Sequence, residues 1–358
     1  PLRLDSGDEL RHAHIAYQTW GPQNADLVIL VLHALTGDAL ATAQHHPSEE
    51  HRRARGWWET NVRPGRPIDT DRHLVICSNV LGGCAGSTGP ATINPETGRV
   101  WGSDFPTITI GDMVRAQARL LDELAIDRPI VVGGGSIGGF QALEWVRLFP
   151  RRVRAAAVIA AGTSLNAMGL AFNRVGSDAI RTDSRYAGGR YEPSDPPIDG
   201  LAAARKLAHL TYRTPESFDA RFGREQNDRG APGFAVHAYL EHKGRSFAER
   251  FDANAYLTLL EAMNTYDAEA DGDLADRLAA FDGDLLVAGF SSDRLFPPAQ
   301  SERLASIARD AGVRTTLEIV DTRDGHDAFL MPCPHLDRAL RSLLDRAATH
   351  RFSGDNTR

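Results

Sequence analysis

IVVGGGSIGGFQALEW, residues 130–145, decides the architecture of this chain. A β-branched run, Ile130 to Val132, enters three consecutive glycines, a serine and then a helix-forming segment that stops before Pro150. The serine is framed as Gly134-Gly135-Ser136-Ile137-Gly138. A strand that turns this sharply into a helix holds its central residue in an unfavourable backbone conformation, so the neighbours must lack side chains. The helix that follows aims its N-terminus and its free N–H groups at any negative charge developing on a group attacked by the serine hydroxyl. Strand, turn and helix together are the setting that a nucleophile elbow requires. A phosphate loop would need Gly-Lys-Ser/Thr after the turn, and none follows. The remaining structural reading is a glycine-rich turn that only packs closely.

Working outward, apolar runs bounded by turn residues alternate with helical patterns, which predicts a mostly parallel sheet with crossover helices. Residues 27–35, 73–80, 128–135, 154–162, 283–290 and 314–321 read as buried strands. Ile110 to Leu124 puts Met113, Ala116, Leu120, Leu121 and Leu124 on one face of a helix, and Gln141 to Phe149 reads as another. From 164 to 273 strand runs stop, and helical stretches such as LAAARKLAHLTY and NAYLTLLEAMNTYD alternate with loops rich in Gly, Pro and Asp. The expectation is an α/β-hydrolase fold with its core in residues 1–163 and 274–350. A helical lid is inserted over 164–273, and a disordered tail covers 351–358.

In that fold the triad follows the order nucleophile, acid, histidine. SSDRLFP follows the strand LLVAGF and supplies Asp293; DTRDGHDAFL follows LEIV and supplies His326. Asp293 would fix the imidazole tautomer and His326 would take the Ser136 proton. Asp293 as a helix cap and His326 as a solvated loop residue are the competing readings. His335 and His350 fall in or beyond the last helix and are weaker candidates. The loop HALTGD, 33–38, follows an early core strand, so the backbone N–H groups of Leu35 and Ile137 are the expected oxyanion donors. His33 has no second ligand at a suitable spacing, and no metal is expected.

The bulk properties agree with a soluble enzyme. The 358 residues carry 40 Lys and Arg against 47 Asp and Glu, a net charge of -7. That balance is not the basic footprint of a nucleic-acid binder. Cys77, Cys84 and Cys333 are odd in number and widely spaced, which argues against a zinc ribbon or a disulfide framework and for a reducing, cytoplasmic setting. No apolar run approaches the ~20 residues that span a bilayer. The opening PLRLDSGDELRH has no basic-then-apolar signal pattern. No bound cofactor is expected, nor nucleic-acid or membrane partners.

Beyond the elbow, long ordered segments resemble the homoserine O-acyltransferases of the α/β-hydrolase superfamily, above all those that transfer acetyl groups. The resemblance runs through AYQTWG, HALTGDA, GWWE, IDTDRHLVICSNVLGGCAGSTGP, DFPTITIGDMVRAQ, GGSIGGFQALEW, GLAAARKLAHLTYRT, FDANAYLTLLEAMNTYD, DRLFPP and GHDAFL. It implies ping-pong transfer, in which acetyl-CoA (or succinyl-CoA) acylates Ser136 and the hydroxyl of L-homoserine (or L-serine) then takes the acyl group, a step towards methionine. It also implies that Arg205 holds the substrate carboxylate and Asp327 its ammonium, with Tyr212 and Thr36 in the same substrate site, and that a homodimer forms through the lid. A zwitterionic acceptor needs one fixed cation and one fixed anion, and a planar guanidinium suits a carboxylate. An esterase using the same triad is the rival class, and Arg205 with Asp327 argue against it. Three positions depart from the family pattern: Ile137 where methionine is usual, Ala85 and Ser177. They are expected to bear on which acyl group or acceptor is used.

Overall fold

The computed structural model describes residues 1–43, 55–227 and 233–349. The tail 351–358 and His350 lie outside the described residues. A small hairpin pairs β1 (Leu2–Arg3) with β2 (Glu9–Leu10). The main sheet holds β3 (Tyr17–Trp20), β4 (Val28–Leu32), β5 (Leu74–Ser78), β6 (Ile130–Gly135), β7 (Val153–Ile159), β8 (Asp284–Phe290) and β9 (Arg314–Val320). Their spatial order is β3-β5-β4-β6-β7-β8-β9. All pairings are parallel except that of β3 with β5.

β4, β5, β6 and β8 are buried along their whole length, so they read as unbroken apolar runs rather than alternating ones. Alternation still sorts their side chains. Val28, Leu30 and Leu32 face one core with Met113, Leu121, Phe140 and Trp145. Ile29 and Val31 face the other with Trp58, Phe329, Leu340 and Leu343. Helices α1 (Ile110–Glu123), α2 (Ile137–Leu148) and α9 (Pro298–Asp310) cover the first core, and α10 (Pro334–Thr349) covers the second. α1 starts where the sequence says it should. Thr109 Oγ1 accepts from Asp112 N–H, and the Asp112 carboxylate accepts from Thr109 N–H, a reciprocal capping box.

Between β7 and β8 the chain runs through α3 (Ala167–Arg181), α4 (Ile198–Tyr212), α5 (Pro215–Phe222), α6 (Ala235–Ala248), α7 (Ala253–Asn264) and the short α8 (Leu274–Ala279). Two expectations need correction, and one strand goes beyond them. Residues 314–321 are not a buried strand: β9 is the outer strand of the sheet, and only Val320 in it is buried. The second helix begins at Ile137, not Gln141, because Gly138 and Gly139 are helical residues that let it lie against the sheet. The antiparallel edge strand β3 was not anticipated, since YQTW is half exposed and too short to show a period.

Candidate active site

Ser136 stands between β6 and α2 with φ 61° and ψ −124°. A non-glycine residue held there stores roughly 1–3 kcal/mol of strain, which the surroundings must over-determine. They do. Ser136 N–H donates to Ile159 O of β7 at 3.0 Å, and Ser136 O accepts from Gly139 N–H at 2.8 Å and Phe140 N–H at 3.1 Å. A Cβ on Gly134 or Gly138 would come within 2.2 Å of the Leu32 carbonyl oxygen, so the elbow is pressed directly onto the end of β4. That contact explains why glycines flank the serine. It also sets the elbow beside the loop that leaves Leu32.

This loop is HALTGD, and His33 fastens it. His33 Nδ1–H donates to Ala34 O at 2.8 Å, while Nε2 accepts from Val80 N–H at 3.0 Å and faces the Asn79 amide at 3.2 Å. One donor and one acceptor are the full capacity of a neutral imidazole. Burial, opposed by the Ala34 hydrogen bond and the Asp38 charge, holds the His33 pKa below the usual histidine range. The ring is therefore a neutral brace. Among the described residues there is no cluster of metal-ligating side chains. Leu35, two residues on, is buried and lines the same cavity as Ser136.

Asp293 leaves the carboxyl end of β8 and His326 that of β9. His326 Nδ1 and Asp293 Oδ2 are 2.7 Å apart. Asp293 Oδ1 accepts from Leu295 N–H at 2.9 Å and Phe296 N–H at 3.0 Å, so the carboxylate is fixed by its own loop before it meets the imidazole. Both residues are buried, at 3% exposure each. Burial alone would disfavour the imidazolium. The Asp293 charge and hydrogen bond outweigh it, Asp327 adds to them, and the His326 pKa is raised above the ordinary value. With Nδ1–H given to Asp293, Nε2 is the free acceptor, and it makes no hydrogen bond among the described residues. The rings of Phe296, Tyr212 and Phe329 surround the imidazole at centroid distances of 5.5, 5.7 and 5.8 Å. Two other aspartates near the end of β9 are engaged elsewhere: Asp321 accepts from Ser291 Oγ and Asp324 from Thr322 Oγ1. His335 lies on the surface against Glu318.

The residues expected on the substrate side converge on the same place. Arg205 of α4 donates to Thr36 Oγ1 of the HALTGD loop at 3.3 Å, and its guanidinium lies over the Tyr212 ring at 5.8 Å. Asp327 follows His326 directly. Burial raises its pKa, against the pull of His326, Arg205 and Arg213. No side chain forms an ion pair with it among the described residues, which leaves a partly desolvated carboxylate and a guanidinium near each other without cancelling. Tyr212 lines the Ser136 cavity, and burial raises its phenol pKa.

The cavity against Ser136 is narrow, about 40 Å³, and its wall is mostly apolar: Leu165, Phe172, Leu260, Met263, Leu295 and Phe296. Sequence reasoning missed its polar contribution. Asn173 lines the cavity and donates to Asn264 Oδ1 at 2.8 Å, joining α3 to α7. Its one sequence signal is a lone asparagine beside the apolar Phe172 in α3. Neither Ile137, Ala85 nor Ser177 belongs to the wall of this cavity. Arg213, near Asp327, was also not singled out.

A family described as alpha/beta hydrolase fold matches residues 28–331. A homoserine O-acetyltransferase from Rhodopseudomonas palustris (strain HaA2) is 47% identical over 362 residues, covering 98% of this chain and 90% of the relative. Among solved structures, a homoserine O-acetyltransferase from Bacillus anthracis superposes with a TM-score of 0.87 at 22% identity, covering 98% and 95% of the two chains. An acetylester hydrolase from Corynebacterium glutamicum gives 0.79 at 22%, covering 96% and 93%. These two likenesses speak for the fold; the 47% identical relative carries the family. With the elbow, the His326–Asp293 pair and this near full-length identity together, the chain belongs to the homoserine O-acetyltransferase family of the α/β-hydrolase fold.

Proposed function

We propose that the protein transfers an acetyl group from acetyl-CoA to the hydroxyl of L-homoserine through an acetyl-Ser136 intermediate, giving O-acetyl-L-homoserine and CoA. Ser136 Oγ attacks the thioester carbonyl while its proton passes to His326 Nε2. The N–H groups of Leu35 and Ile137 take the developing oxyanion. The thiolate leaves with the proton from His326. Homoserine then attacks the ester, His326 accepts the hydroxyl proton, and collapse returns that proton to Ser136. Asp293 holds the tautomer throughout.

The observation that carries this reading is the join of two features around one cavity. Ser136 and Leu35 share its wall with Tyr212; Arg205 lies over the same tyrosine and is bonded to Thr36, and Asp327 sits beside His326 and feels the charge of Arg205. A generic esterase has no need of an uncancelled guanidinium and carboxylate beside its base. An amino-acid acceptor needs both, Arg205 for its carboxylate and Asp327 for its ammonium. The apolar wall favours acetyl over succinyl, because the second carboxylate of succinate would be buried there without a cation, at a cost of several kcal/mol. The helical segment 164–273 acts as a lid that excludes water and so favours transfer over hydrolysis.

The lid also exposes Met168, Leu170 and Val175 of α3 and Leu210 of α4, which supports a homodimer through this face. No helix among the described residues is long and apolar enough to cross a membrane. Three cysteines outside any disulfide support a reducing cytoplasmic setting, and O-acetylhomoserine as product would place the enzyme on the way to methionine. The test is product analysis: acetyl-CoA or succinyl-CoA is combined with L-homoserine, L-serine or water. O-acetylhomoserine as the dominant product supports the proposal; acetate released at the same rate without an acceptor would make the protein an esterase.

A further inference from the structure

Some cations of the lid are neutralised by carboxylates, as Lys206 and Arg245 are by Glu241 and Arg174 by Asp178. Arg221, Lys243 and Arg250 gather instead on two rings of one helix, α6. Among the described residues none of them forms an ion pair. The Tyr239 ring carries Arg221 at 4.6 Å and Lys243 at 5.9 Å from its centroid. The Phe247 ring, about two turns further along, carries Arg250 at 5.3 Å and Arg205 at 4.9 Å. Like charges brought this close repel. Burial first, then Arg205, Arg221 and Arg250, lower the Lys243 pKa, with only Asp327 opposing them.

A second observation points from this cluster to a ligand. His209 of α4 is 7% exposed, and neither of its ring nitrogens has a hydrogen-bond partner. Leaving both unmet in the interior is costly. Burial and the charges of Arg205, Lys243 and Arg213 push its pKa down to about 3, so it is a neutral ring with one donor and one acceptor to offer. Its ring packs edge-on with both Tyr239 and Tyr212, and Tyr212 packs against His326. These steps of 5.8, 6.4 and 5.7 Å place Tyr239 no more than about 18 Å from the catalytic imidazole.

We propose that Arg221, Lys243 and Arg250 bind the phosphate groups of the coenzyme A moiety, and that its pantetheine arm runs along Tyr239, His209 and Tyr212 towards Ser136 with one of its amides bonded to His209. The proposal rests on the reading of acyl-CoA as donor. The dimensions agree: the arm between sulfur and pyrophosphate is about four peptide units long, ~14 Å when extended. The chemistry agrees as well. Cations with no carboxylate partner are free for phosphate, and two of the three are guanidiniums, which bind it bidentately.

The experiment measures CoA and pantetheine affinities calorimetrically for the wild type, the double variant Arg221→Gln/Lys243→Gln and the charge-preserving Lys243→Arg. Acetyl transfer from acetyl-CoA and from S-acetylpantetheine is measured alongside. Loss of charge-assisted contacts is expected to weaken CoA binding roughly 10- to 100-fold in the double variant. Pantetheine affinity, kcat/KM for S-acetylpantetheine and KM for homoserine should stay unchanged, and Lys243→Arg should retain affinity for CoA. Unchanged CoA binding in the double variant overturns the proposal, and so does an equal loss with the phosphate-free donor. A wild type that binds CoA, yet releases none from acetyl-CoA with homoserine present, would remove the donor reading alone.

Discussion

Replacing Asp293 by asparagine exchanges one carboxylate oxygen for an NH₂, removes the charge and changes almost no volume. The Oδ1 side of Asp293 receives two backbone donors, Leu295 N–H at 2.9 Å and Phe296 N–H at 3.0 Å. An asparagine amide NH₂ cannot turn towards two N–H groups, so its oxygen stays there and its NH₂ faces His326 Nδ1, now 2.7 Å from a carboxylate oxygen. Nδ1 must then accept, the proton moves to Nε2, and the ring presents a donor to Ser136 where the reaction needs an acceptor. The expected loss in kcat is about 10⁴-fold, or ~5 kcal/mol at 1.36 kcal/mol per decade. The pH profile supplies a second readout. His326 works as a base only when neutral, and its pKa is raised by Asp293 against the effect of burial. Wild-type activity should therefore fall as pH drops through a value above the ordinary histidine pKa of about 6.5. The linked stability has the same origin: it is present below the unfolded-state pKa and is lost as pH rises through the raised folded-state value. Without the carboxylate charge, the acid limb of the residual activity should move to lower pH. Stopped-flow CoA release across pH measures both effects, with circular dichroism to check the fold. Activity within about tenfold of wild type, or an unmoved acid limb, would refute the role of Asp293 as the orienting acid.

Arg205→Ala should leave acylation of Ser136 largely intact and slow the homoserine step roughly 10- to 100-fold, the cost of one charge-assisted contact. Equal loss in the two half-reactions, separated by CoA release with and without homoserine, would count against Arg205 as the carboxylate partner. Gly135→Ala should destabilise the protein by about 1–3 kcal/mol, because the added Cβ would lie 2.5 Å from the Phe329 ring, which is buried beside His326. Denaturant unfolding should show a lower midpoint at unchanged slope, and an unchanged midpoint would mean that the ring can yield.

Much of this architecture was legible because its strongest features are local. The fully buried strands announce themselves as unbroken apolar runs, and Thr109 with Asp112 marks the start of α1. The elbow motif needs only the residues around Ser136. Chain order then led to Asp293 and His326, which the fold brings to adjacent strand ends. What stayed hidden depends on partners distant in sequence. β3 has no period of its own and exists because β5 offers an edge. β9 read as buried from its composition, but its position at the margin of the sheet leaves it half exposed. His33 reads as an isolated histidine; only Val80 and Asn79, more than forty residues away, make it the brace of the HALTGD loop. Asn173 likewise acquires meaning from Asn264, and His209 from the two tyrosines that enclose it.

The central claim is that acyl transfer passes through a covalent ester on Ser136. It is tested most directly by mixing the protein with acetyl-CoA in the absence of homoserine, quenching in acid, and mapping the adduct by intact-protein and peptide mass spectrometry. The account predicts one acetyl group on the peptide containing Ser136, discharged by homoserine to O-acetylhomoserine, and no adduct in Ser136→Ala although that variant folds normally. An acetyl group on any other residue, or one that persists in the alanine variant, would contradict it.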